Sequence, residues 1–114
     1  MDGIQKYDIF YTQSAITDIE DKADYIAFQL HSPNVAETWY KQLRKTIREN
    51  LSTFPLKYPS YQVEPWAERG IRLFVAHNDM ILYSVDASAY IVYIWAVCTK
   101  GRDLAAHLES LQEE

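Results

Sequence analysis

The sequence is short of cysteine, of cationic charge and of long apolar runs, and each shortage excludes something. One cysteine, Cys98, leaves no internal disulfide and no cysteine-based zinc cluster. A lone thiol fits a reducing cytoplasm. Lys and Arg number 11 against 16 Asp and Glu, a net charge of −5, so the broad basic surface of many nucleic-acid-binding domains is missing, although a local basic patch stays open. No apolar stretch approaches the ~18–20 residues that span a bilayer. The segment Met1 to Tyr11 is too polar for a secretory signal, so a soluble, cytoplasmic protein with no membrane partner is expected. Repeats, low-complexity tracts and linkers are also missing, which predicts a single domain over residues 1–114.

What is present is enough apolar material for a core without disulfide or metal staples: 48% apolar residues, including nine tyrosines. Ile4 to Tyr11 reads as a strand with Tyr7, Ile9 and Tyr11 on one face. Residues 13–30 read as a helix whose buried stripe runs Ala15/Ile16, Ile19, Ala23, Ile26/Ala27, Leu30, capped by Thr12 or Ser14 and carrying Asp18, Glu20 and Asp21 in its first half. After His31, Ser32 is an N-cap candidate and Pro33 suits the first position of a second helix reaching about Thr53, with the stripe Ala36, Trp39/Tyr40, Leu43, Ile47, Leu51, Phe54. So short a connection folds the two helices into an antiparallel hairpin.

Residues 55–70 hold three prolines and the aromatics Tyr58, Tyr61 and Trp66, and read as a long ordered loop with a short edge segment, a type of loop that is often functional. Three strands follow, Ile71–Ala76, Met80–Val85 and Tyr90–Cys98, joined by turn-forming residues 77–79 and 86–89. A short amphipathic helix spans Arg102 to Leu111. The expected fold class is α+β, in the order β-α-α-β-β-β-α, an antiparallel sheet with the helical hairpin on one face. Tyr90–Cys98 is apolar on both faces and belongs in the centre. With a single hairpin to cover it, part of the second face is expected to be open and available for binding.

Element order and several local stretches together resemble the RelE/ParE toxins, over essentially the whole chain. The stretches are Ser14-Ala15 with Asp18-Ile19 and Asp24-Tyr25-Ile26; Ala36 with Leu43, Ile47, Leu51 and Pro55; Glu64-Pro65-Trp66 with Arg69-Gly70-Ile71-Arg72; Ile81 to Asp86; and Gly101-Arg102-Asp103 with Leu108. The Glu-Pro-Trp loop and the Gly-Arg-Asp turn look most like a plasmid-stabilisation subgroup. The resemblance implies the toxin of a type II toxin–antitoxin pair, which inhibits bacterial growth and is held inactive by a cognate antitoxin protein. It implies two unlike targets. RelE-type members cut messenger RNA on the ribosome, whereas ParE-type members inhibit DNA gyrase and are not enzymes. A degenerate toxin that only binds its antitoxin is a third alternative.

Cleavage of RNA by its own 2′-hydroxyl requires a held phosphate, charge stabilisation and two proton transfers. Arg72 matches the basic residue that RelE-type toxins set near the scissile phosphate, and its planar fork suits phosphate oxygens. Read plainly, it is a salt bridge that supports the loop. Tyr83 and Glu64 are the remaining candidates for acid or base, if the chain is a nuclease. Lys100 and Arg102 follow the last strand, which could bring them near Arg72 to touch phosphate or an acidic partner. The plain alternative is a solvated turn with Arg102 paired to Asp103. Arg69 is a further candidate for target contact, or a loop anchor to Glu64 or Glu68.

Two departures weigh against RNA cleavage. Thr99 stands where several RNA-cutting relatives carry a histidine, and only Lys57 stands where others carry paired lysines. His31, His77 and His107 have no metal-ligand spacing and read as surface residues, so no metal or cofactor is expected. With the acidic net charge, these departures tilt the expectation toward gyrase. Lys41, Arg44, Lys45 and Arg48 form a basic stripe on the second helix. It is either a solvated face with Glu37–Lys41 and Lys45–Glu49 pairs, or a contact for an acidic antitoxin segment or nucleic acid.

Overall fold

Apolar residues at three- and four-residue spacing produce two helices packed as a hairpin, and alternating ones produce the strands that the hairpin covers. The computed structural model describes residues 4–101 and 104–109. The elements are β1 (Asp8–Tyr11), α1 (Gln13–Asp24), α2 (Pro33–Leu51), β2 (Arg72–Ala76), β3 (Asp79–Asp86), β4 (Ile91–Thr99) and α3 (Leu104–Glu109). Thr12 caps α1: its Oγ1 accepts from the Ala15 amide at 3.2 Å and donates to the Ile94 carbonyl at 2.9 Å. Pro33 opens α2, but Ser32 gives it no side-chain cap. The Ser32 hydroxyl donates instead to the Leu30 carbonyl. No described helix is long and apolar enough to cross a membrane.

The sheet order is β1-β4-β3-β2, which places β4 inside the sheet as its two-sided apolar pattern requires. The sheet is mixed rather than wholly antiparallel. β2, β3 and β4 form an antiparallel meander, whereas β1 lies parallel to β4, with Asp8 opposite Ile91 and Tyr11 opposite Ile94. Parallel strands need a long crossover, and the helical hairpin between β1 and β2 provides one. Between Leu82 and Tyr83 the register with β4 slips, so that Trp95 is the extra residue of a bulge.

Each face of the sheet has its own core. Under the hairpin lie Ala15, Ile19, Leu43, Ile47 and Leu51 against Phe74, Ile81, Tyr83, Val92 and Ile94, with Tyr7, Ile9 and Tyr11 at the margin. On the second face, Trp66 from the long loop and Leu104 and Leu108 from α3 cover Leu82, Ala96 and Cys98. That face is therefore closed at one end and open at the other, where Phe10 is 55% exposed and stacks edge-on against Tyr93.

Three apolar side chains expected in the buried stripes are exposed. After α1 the backbone widens into a π turn over Tyr25–Gln29, which rotates the following residues outward, and Leu30 is exposed. Phe54 takes a left-handed φ of 50° that ends the run of α2 and directs its ring to solvent. Tyr40 is 38% exposed, while its neighbour Trp39 packs on the core.

Candidate functional site

Arg72 and Tyr83 are direct cross-strand partners on β2 and β3, and side chains at such positions share a face. That face is the one beneath the hairpin. The Arg72 guanidinium donates from Nη1 to the Tyr58 carbonyl at 2.5 Å and to the Leu56 carbonyl at 3.2 Å. The Tyr83 hydroxyl, fully buried, donates to the Pro55 carbonyl at 2.6 Å. Burial pushes this phenol up to about 12, against the opposing pull of the Arg72 charge. A phenol so acid-weak is a poor proton donor and a fixed hydrogen-bond donor. The pair therefore clamps the carbonyls of Pro55, Leu56 and Tyr58. Tyr58 adds a ring contact to Phe74 at 4.7 Å and a hydrogen bond from its hydroxyl to Asn50 Oδ1 at 3.1 Å. Both readings of Arg72 missed this arrangement, because its partners are backbone carbonyls rather than a phosphate or a carboxylate.

The other candidates do not converge on this pair. Glu64 is exposed in the turn that carries Trp66 to the second face, and its Oε1 accepts the Glu68 amide at 3.2 Å. Arg69 lies over the Trp66 ring at 5.0 Å, with no ion pair to Glu64 or Glu68 among the described residues. Lys100 is exposed beyond β4, its amide bonded to the Asn78 carbonyl. Tyr83 pairs with Ile94, and Lys100 lies six residues further along, so about 20 Å of strand separates it from the clamp at ~3.3 Å per residue. The expected approach of Lys100 to Arg72 does not occur, since the antiparallel register carries them to different parts of the sheet. Arg102 and its expected partner Asp103 lie outside the described residues.

The end of the sheet holding Thr99 carries a polar network that the sequence did not announce. Lys22 Nζ donates to Asp79 Oδ1 at 2.5 Å and to Thr99 Oγ1 at 3.0 Å, Trp39 Nε1 donates to Asp79 Oδ2 at 2.8 Å, and Asp79 is buried. Read as a turn residue, Asp79 instead ties both helices to β3 and β4. Beside it, Asp18 Oδ2 accepts the Val97 amide at 2.9 Å and pairs with His107 Nε2 at 2.9 Å. Burial raises the Asp18 carboxyl, offset by the Val97 amide and His107. His107 is thus a half-buried partner of α1 and not the surface residue its position in an amphipathic helix predicts. No spacing signal marks either network, because their members are far apart in sequence.

The basic stripe of α2 borders a cleft of about 690 Å³ along β1, lined by Lys6, Ile9, Tyr11, Arg44, Arg48 and Glu49 among others. Arg44 lies over the Tyr11 ring at 4.6 Å and donates to the Tyr40 hydroxyl at 2.8 Å. Burial raises the Tyr11 phenol, partly countered by Arg44. Of the two expected intrahelical ion pairs, Lys41–Glu37 forms at 3.1 Å, and Lys45–Glu49 does not appear among the described residues.

Comparison with known proteins gives the fold a family. The ParE toxin family model, described as the ParE toxin of the type II toxin–antitoxin system parDE, matches residues 9–104. No curated protein sequence matches the chain. Among solved structures, the RelBE2 toxin–antitoxin complex from Mycobacterium tuberculosis contains a similar chain (TM-score 0.62, 17% identity, 86% of this chain and 95% of that one covered). So does the chromosomal ParDE toxin–antitoxin system from P. aeruginosa (TM-score 0.65, 14% identity, 82% and 96% covered). The isolated E. coli RelE toxin is similar over 94% of this chain and 97% of its own, at a TM-score of 0.56 and 14% identity. These likenesses carry the fold, and the family match carries the membership: this chain belongs to the ParE toxin family and is the toxin of a type II toxin–antitoxin system.

Proposed function

We propose that this toxin arrests growth by binding and inhibiting DNA gyrase, as a non-enzymatic inhibitor, and that it acts in the cytoplasm as a single domain neutralised by a cognate antitoxin. The observation that carries the reading is the engagement of Arg72 and Tyr83 with the carbonyls of Pro55, Leu56 and Tyr58. A nuclease needs a cation and a proton carrier facing an accessible phosphate. Here the best-placed arginine is spent on loop backbone, the tyrosine is buried, and Glu64, Arg69 and Lys100 stand elsewhere. The antitoxin partner is proposed from the two similar structures described as toxin–antitoxin systems.

The test is one induction with two readouts, 5′-end mapping of transcripts and plasmid supercoiling. Relaxed or cleaved plasmid with intact transcripts is expected. New codon-phased transcript ends with normal supercoiling would establish RNA cleavage instead. Undisturbed growth with neither change would leave only antitoxin binding.

A further inference from the structure

The open end of the second face is both aromatic and acidic. Paired residues on neighbouring strands point their side chains to the same face, so the register assembles this surface row by row. Asp8 of β1 and Asp86 of β3 are both partners of Ile91, one on either side of β4. At a strand spacing of about 4.8 Å their backbones stand about 10 Å apart. In the next row Phe10 and Ser84 flank Tyr93, and the Phe10 and Tyr93 rings meet at 5.6 Å. The bulge then turns Trp95 onto the same strip. Its ring lies 6.2 Å from that of Tyr93, and its Nε1 donates to Ser84 Oγ at 2.9 Å. Trp66 and α3 cover only the other end of the face, and Phe10 is left exposed. Asp86 Oδ1 accepts the Ser88 and Ala89 amides and the Ser88 hydroxyl, which hold the carboxyl below the usual carboxylate range. Its Oδ2 accepts nothing among the described residues. Asp8 is exposed and forms no ion pair among the described residues, although Lys6 is two positions away and both border the cleft on the hairpin side.

We infer that this open end binds a basic segment of a partner protein, with an arginine stem laid on Phe10 and Tyr93 and its guanidinium between the Asp8 and Asp86 carboxylates. The complementarity is one of charge and of ring chemistry together. Aromatic faces attract cations, and carboxylates accept the forked donors of a guanidinium. A nucleic acid is opposed by the same two carboxylates, which repel its phosphates. A small polyamine would satisfy the carboxylates alone. From Ile91 to Trp95 the strip runs about 13 Å at ~3.3 Å per residue, and a polypeptide with an apolar residue beside its arginine covers both parts. The inference deepens the proposed function by giving the chemistry of a target contact. It rests on that reading only for the partner being the inhibited enzyme.

The experiment titrates the whole chain against two labelled peptides of equal length, one alternating Arg with Leu and one alternating Glu with Leu, and reads fluorescence anisotropy. The Arg peptide is expected to bind and the Glu peptide not to. Asp8→Asn combined with Asp86→Asn should bind the Arg peptide at least about tenfold more weakly, and so should Phe10→Ser. Asp8 and Phe10 are exposed, and asparagine at position 86 keeps a side-chain acceptor for the turn, so both variants are expected to melt as the parent does. Glu37→Gln with Glu49→Gln removes as much charge from α2 and should bind as the parent does. In the parent alone, the peptide should move the indole N–H resonance of Trp95 and leave that of Trp39, which is bonded to Asp79, in place. No binding of the Arg peptide, full binding by either variant, equal weakening in the α2 control, or an unmoved Trp95 resonance each overturns the assignment. So does spermine that displaces the peptide at equal concentration, or a single-stranded oligonucleotide that moves Trp95 when the peptide does not. Plasmid supercoiling is scored separately: if induction leaves it unchanged, the gyrase reading fails and the peptide result stands.

Discussion

β2 and β1 finish the same sheet in opposite ways. Along β2, the long loop folds back and pairs with the strand: Ser60 bridges to Arg72, the Leu73 amide donates to the Pro59 carbonyl at 3.0 Å, and the Tyr61 amide donates to the Ile71 carbonyl at 2.9 Å. Arg72 and Tyr83 then pin the preceding carbonyls from below. Along β1 the cover stops at Tyr7, whose amide donates to the Ser52 carbonyl at 2.8 Å, and among the described residues no backbone group bonds to Ile9 or Tyr11, beside which stand the cations of α2. The difference teaches how to weigh the arginines. The one on the covered edge has the sequence position of a catalytic group and the surroundings of a structural one. Those beside the open edge look like an ordinary solvated helix face and border the groove.

The harshest way to break the comparison is to remove the hairpin that lies across both halves of the sheet. Leu43 is 4% exposed in the first core. Leu43→Asp loses that packing and buries an unpaired carboxylate, a cost of roughly 3–5 kcal/mol or more against a typical total of about 5–15. Thermal melts should show a protein unfolded or barely folded at growth temperature, with both edges lost together. A cooperative, parent-like melt would reject the packing.

Tyr83→Phe acts on the covered edge alone. It leaves the buried Pro55 carbonyl without its donor, at a cost of about 1–3 kcal/mol. It should also change the response to alkali. The ordinary tyrosine value is 10.0 and burial pushes Tyr83 up to about 12. The folded state keeps the proton over a range in which the unfolded chain releases it. The contribution of Tyr83 is therefore full below pH 10 and lost as pH rises to about 12, a decline of roughly 3 kcal/mol. Denaturant melts across that range should show the decline in the parent and a flatter profile in Tyr83→Phe. Equal slopes would mean that the phenol is not held as described.

The gentlest probe changes no residue. Amide exchange should be slow at Leu73, which is bonded to Pro59, and fast at Ile9 and Tyr11, whose amides face outward. Equal protection at the two edges would remove the contrast between them.

Much of the fold is legible in the sequence, because helix and strand periodicities are local. The stripe through Leu43, Ile47 and Leu51 and the two-sided apolar run of β4 lead directly to the hairpin, its burial and the central strand. The parallel direction of β1 is not legible, since it depends on how the intervening crossover, residues 12–71, returns the chain. Leu30 and Phe54 escape prediction for a local reason: one π turn and one left-handed φ rotate them out of register with the stripes that precede them. Site residues are harder still. That Arg72 sits on β2 follows from the pattern, but its partners lie at residues 56 and 58 and are main-chain atoms with no sequence identity. Asp79 with Lys22, and Asp18 with His107, join residues that only the finished fold brings together.

The central claim is that Arg72 is a clamp on the loop and not a catalytic group, and it is tested most directly by growth arrest per folded molecule of Arg72→Ala. The variant loses hydrogen bonds to two carbonyls, at about 1–3 kcal/mol in all, so arrest is scored at a temperature where its circular dichroism melt shows it folded. The account predicts arrest within about twofold of the parent under that condition, where a lost transition-state contact would instead cost roughly a hundred- to a thousandfold in rate. A folded Arg72→Ala protein that no longer arrests growth, with the parent cutting transcripts and the variant leaving them whole, would contradict it.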